Sequence, residues 1–79
     1  MADRYQGMII VRDEEGKVSG IFYRPSQERM MKSYVSKREL PDGRRVIASE
    51  WLNEPVDWKG IQNVKFGLLK DLFGEPKRN

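Results

Sequence analysis

The chain has 79 residues and contains neither cysteine nor histidine. Without cysteine there is no disulfide, and without both there is no zinc site built from Cys and His. Ser-His-Asp and Cys-His nucleophile arrangements are excluded too, as is any histidine general base. No phosphate-cradling pattern of the G-x-x-x-x-G-K-[ST] or G-x-G-x-x-G kind occurs. No cofactor is therefore expected. Catalysis is left to Arg, Lys, Tyr and carboxylates, and nothing in the sequence pairs these in a way that would tune them. The expectation is a protein that is not an enzyme.

Long apolar runs are also missing. The patch Met8–Val11 is four residues long, far below the ~18 that a membrane span requires. It reads as neither a span nor a signal peptide, so a cytoplasmic protein without a membrane partner is expected. Residues 1–79 read as one domain. A domain of this size buries only about 60–65% of its unfolded surface, and small scaffolds usually add a covalent or metal staple. This one has no disulfide with which to do so. Self-association as a homodimer, or a protein partner, is correspondingly favoured.

Net charge is small, at +3, because 15 Lys and Arg are nearly balanced by 12 Asp and Glu, but the positive excess is concentrated. Residues 1–28 hold four bases and five acids, residues 29–45 six bases and two acids, and residues 46–79 five of each. The excess thus falls in one stretch, around the turn Pro41-Asp42-Gly43.

The patterning predicts an α+β fold: a small antiparallel sheet of two β-hairpins, three or four strands in all, with one C-terminal amphipathic helix packed on it. Residues 6–24 alternate as a hairpin about "DEEG", with Gly16 free to take the left-handed conformation. Closing it at Asp13 opposite Lys17 sets Arg12 against Val18, Ile10 against Gly20 and Met8 against Phe22. Both faces are then largely apolar, so both need cover. Either the 26–32 segment or a second protein could supply it. Residues 26–31 read as a loop or short helical turn, capped by Ser26, and then a strand. A second hairpin follows over 32–49, with Glu39 opposite Arg45, and residues 50–56 read as a connection. Asp57 caps a helix that begins at Trp58 and stops at Gly74. Its apolar arc spans roughly 200°, wider than the ~100° stripe of a surface helix. Residues 75–79 read as a flexible basic tail.

Three features invite a functional reading. Lys32, Tyr34, Lys37, Arg38, Arg44 and Arg45 would make a basic hairpin able to dock an acidic protein face or to contact nucleic-acid phosphates. A solvated tip is the plainer alternative. Gly60 and Gly67 would allow a partner to approach the helix backbone, and Trp51 would anchor an interface. Trp51 and Trp58 read more simply as core. The acidic turn Asp13-Glu14-Glu15 lacks the ligand spacing of a calcium loop and reads as solvated. The expected function is a small non-enzymatic protein-binding module (a regulator, inhibitor or accessory subunit of the kind phages encode), docking through the basic hairpin and leftover apolar surface. The alternative is a nucleic-acid-binding module using residues 32–45.

Overall fold

A computed structural model describes residues 3–74, so the expected tail at 75–79 lies outside the described residues. Strand β1 (Tyr5–Arg12) leads into β2 (Val18–Tyr23), a 3₁₀ turn (Pro25–Gln27), helix α1 (Glu28–Lys37), strand β3 (Arg45–Val56) and helix α2 (Trp58–Phe73). The three strands form an antiparallel sheet in the order β2-β1-β3. The fold is α+β, with the C-terminal helix on the sheet as the periodicity predicts.

The first hairpin forms in the expected register, from Gly7 opposite Tyr23 to Arg12 opposite Val18. Its turn closes through the Asp13 N–H bonding the Lys17 carbonyl at 3.0 Å, with Gly16 at φ 86°. Asp13 Oδ1 accepts from the N–H groups of Glu15 and Lys17, which satisfies the turn's own donors.

Both faces of β1 are buried, and each is covered from within the chain. On one face Ile9, Val11 and Tyr23 meet Met31 of α1 and Leu40. On the other, Met8 and Ile10 meet Ile61 of α2, with Phe22, Ile47, Val64 and Leu68 around them. A fully buried side chain such as Ile61, with no exposed surface, contributes about 1.5–3 kcal/mol. The cover on the first face is the segment after residue 26, so the two-faced hairpin needs no second protein.

Residues 28–37 are helix, where the sequence suggested a turn and then a strand. Tyr34 and Val35 favour strand by propensity. At helical spacing, however, Met31, Tyr34 and Val35 share one face, and that face covers the exposed side of β1. Burial outweighs propensity here. Ser26 is not the cap. The helix is entered through the 3₁₀ turn, where Gln27 Oε1 accepts from the Arg24 N–H at 2.8 Å.

Of the second hairpin only the tip exists. Leu40 N–H bonds the Arg44 carbonyl at 2.8 Å, Val46 N–H bonds the Arg38 carbonyl at 3.1 Å, and Glu39 pairs with Arg45. The rest of the expected 32–49 hairpin does not form, because residues 28–37 are helical. Residues 50–56 are not a connection either, since β3 runs on to Val56. Pro55 is tolerated because β3 is an edge strand. Between the pairs Ile10–Ala48 and Val11–Val46, β3 carries one extra residue, Ile47. This bulge lets Val46 face the α1 side while Ile47 and Ala48 join the α2 side.

Candidate functional site

The six basic-hairpin residues do not form one patch. Arg44 is tied back at its own turn. Its Nε donates to Asp42 Oδ2 at 2.9 Å, and its Nη2 lies 2.8 Å from the same oxygen. Those bonds hold the Asp42 carboxyl below its ordinary value and raise the Arg44 guanidinium. The Pro-Asp-Gly turn also lies against the acidic turn, so that Asp13, Glu14 and Glu15 line one shallow depression with Asp42 and Arg44. Asp13 acts electrostatically on Arg44 as well. The tip expected to carry the excess positive charge thus sits beside four carboxylates, those of Asp13, Glu14, Glu15 and Asp42.

Lys32 pairs with Glu28 one turn earlier on α1, an exposed pair worth little. Tyr34 is half-buried and packs against the α1-side core. Beside it, the phenol of buried Tyr23 is raised above its ordinary value, by burial first and by the neighbouring Tyr34 second. Arg45 pairs with Arg12 of β1 and, on its other side, with Glu39. Arg12 alternates with Met8 and Ile10 along β1, so the two guanidiniums lie on the α2 side of the sheet.

Lys37 and Arg38 remain, both exposed, at the end of α1. Arg38 caps the helix. Its N–H reaches the carbonyls of Tyr34 and Val35, and its φ is 61°. It is the one described non-glycine residue with positive φ. Left-handed backbone costs an L-residue about 1–2 kcal/mol, and glycine is the usual occupant of this cap. Arg38 lies along a groove formed by Val35 and by Val46, Ile47, Ala48 and Ser49 of β3. Lys37 flanks a second depression with Tyr34, Glu39, Leu40 and Pro41.

The second set of residues also divides. Trp51 is half-buried in the α1-side core, with its ring over Gly7. Gly60 is explained within the chain, because a Cβ there would stand 2.8 Å from Val56 Cβ. A Cβ at Gly67 would meet nothing within 4 Å. Trp58, which the sequence suggests as core, is 55% exposed and stacks edge-on with Tyr5 and Phe22. Phe66 and Phe73 are also exposed, at 64% and 57%, which accounts for the surplus width of the helix's apolar arc. That width was the signal available in the sequence.

Among the described residues no helix is long and apolar enough to cross a membrane. No protein family, curated protein or solved structure matches the chain.

Proposed function

We propose that this chain is a small non-enzymatic protein-binding module, a regulator, inhibitor or accessory subunit, that docks an acidic protein surface through the C-terminal end of α1. Lys37 and Arg38 supply the charge, and the groove between Val35 and the Val46–Ser49 edge of β3, whose exposed lining is largely polar, supplies the shape. One observation carries the reading. An arginine occupies a left-handed cap that glycine would fill at lower cost, and its exposed side chain returns no ion pair among the described residues to offset that cost. Backbone strain retained at an exposed charged residue points to a role for the side chain. Glu28 and Glu39, interleaved with the bases, favour a protein face over a nucleic-acid backbone, which would select for an unbroken basic surface.

The test is affinity capture from the native cytoplasm with the wild type and with Lys37→Glu/Arg38→Glu, each with and without nuclease. The reading expects a partner that the wild type retains through nuclease treatment and the double variant releases. A partner lost on nuclease treatment would transfer the site to nucleic acid. A partner held equally by the double variant would sink both readings.

A further inference from the structure

The two edges of the sheet are built differently. The outer edge of β3 is protected: the Arg38–Leu40 segment bonds its first residues, and Glu50, Glu54, Pro55 and the Ile47 bulge guard the rest. The outer edge of β2 has no such device. Val18-Ser19-Gly20-Ile21-Phe22-Tyr23 holds no charge and no proline, and its pairing with β1 is unbroken. The bond from Asp13 N–H to the Lys17 carbonyl makes that pair the first rung of the hairpin. By antiparallel alternation, Ser19, Ile21 and Tyr23 bond inward, while Val18, Gly20 and Phe22 direct N–H and C=O outward.

Two of the exposed apolar side chains, Trp58 and Leu72, lie on the α2 flank beside this same edge. Trp58 stacks on Phe22 with ring centroids 5.2 Å apart. Lys65 lies over β2, its Cδ 3.4 Å from where a Gly20 Cβ would be. Leu72, 37% exposed, shares the Trp58 face by helical periodicity. The β3 side of α2 instead presents Gly60, Gly67 and Asp71.

We propose that β2 pairs with β2 of a second copy of this chain, antiparallel about a twofold axis at Gly20, to make one continuous six-stranded sheet. Two relationships select a second copy as the occupant. The first is charge. Asp13, Glu14, Glu15 and Lys17 precede β2 with a net charge of −2, and Arg24 follows it, so this register sets Gly16 opposite the partner's Arg24 and brings each net-acidic turn to the other copy's arginine. Arg24 is available for this, since its bridge to Asp3 is 3.2 Å long with both side chains more than half exposed. The second is symmetry. Trp58 and Leu72 stand seven residues either side of Lys65, which is level with Gly20. A twofold axis there carries the Trp58 of each copy toward the partner's Leu72. This surface lies across the sheet from Lys37 and Arg38, so the dimer and the docking site stand or fall separately.

Sedimentation velocity over a concentration series tests the pairing. The wild type is expected to dimerise. Gly20→Pro removes an outward N–H and spares the ladder with β1. Trp58→Glu charges the flank of the junction and gives up the edge-on contacts with Tyr5 and Phe22, but removes no fully buried side chain. Each should raise the dimer Kd at least about tenfold while the circular dichroism spectrum is kept. If Gly20→Pro fails to fold, Trp58→Glu carries the test alone. Arg24→Glu should weaken the dimer, and Arg24→Glu with Glu15→Arg should restore it. A wild type that stays monomeric up to about 1 mM would overturn the proposal. So would a dimer unaffected by Trp58→Glu. A charge-swapped double variant no tighter than Arg24→Glu alone would overturn the antiparallel register.

Discussion

The ring of Trp51 lies directly on the backbone of Gly7. A Cβ on that glycine would stand 2.2 Å from Cε3 of the indole and 2.6 Å from the Met31 sulfur. Gly7 is buried and pairs with Trp51 across β1 and β3. The missing side chain therefore makes the space in which α1 meets the sheet. Gly7→Ala should destabilise the fold by about 1–3 kcal/mol through overpacking, read as a lower urea midpoint at unchanged slope. Trimming the ring should relieve the clash, so Gly7→Ala with Trp51→Leu is expected to cost less than the sum of the two single changes. Strict additivity would show that the two residues do not compete for this space.

The two glycines of α2 should respond oppositely to alanine. Gly67 has open space around its absent Cβ, so Gly67→Ala should stabilise the protein by up to about 1 kcal/mol through helix propensity alone. Gly60 has the Val56 Cβ at 2.8 Å, and its N–H donates to the capping Asp57 Oδ1 at 2.8 Å. Gly60→Ala must push Val56 aside at the point where β3 hands over to α2. The propensity gain should then be cancelled or reversed. Thermal melts of the two variants beside the wild type decide this. Equal stabilisation of both would mean that Val56 moves freely.

What the sequence made legible were the elements whose local and tertiary preferences agree. The first hairpin is readable because "DEEG" fixes its turn and strict alternation fixes its register. Helix α2 is readable because Asp57 and Gly74 mark its ends. Helix α1 is hidden because Tyr34 and Val35 prefer strand, and only the bare face of β1 selects the helix. The extent of β3 is hidden for two reasons: the Ile47 bulge breaks the alternation that would have announced the strand, and Pro55 mimics a stop. The basic cluster misleads because neighbours in sequence are divided in space. Lys37 ends a helix, Arg44 folds back on Asp42, and Arg45 turns to the α2 side of the sheet. Sequence also places the two turns, Asp13–Gly16 and Pro41–Gly43, far apart, and only β1–β3 pairing sets them together.

That juxtaposition has a pH signature. The Arg44 guanidinium and backbone N–H hold the Asp42 carboxyl below its ordinary 3.8. A carboxyl depressed in the folded state contributes stability that is present above 3.8 and lost as pH falls through the lowered value. The wild type should therefore melt slightly above Asp42→Asn near neutral pH, and the gap should close in strong acid. The pair is exposed, so the gap is small and should shrink further in salt. A difference that persists unchanged in strong acid, where the carboxyl is protonated, would mean that Asn fails for turn geometry rather than charge.

Arg38 offers the sharpest separation of stability from function. At φ 61° it holds the cap with its backbone, through its N–H to Tyr34 and Val35 and its carbonyl to Val46. None of those bonds needs the side chain. Arg38→Gly should keep all of them, remove the left-handed penalty and raise stability by about 1 kcal/mol, less whatever glycine gains in unfolded-state freedom. The same change removes the guanidinium from the groove beside Val46–Ser49, so it should weaken capture of the proposed acidic partner, though less than the charge reversal Arg38→Glu. Urea unfolding and partner capture on one variant then give opposite signs. A variant that is more stable and binds as well as the wild type would show the arginine to be incidental. A variant that is less stable would show the side chain packing against Val35 and β3 as structure, and the strain would then need no functional account.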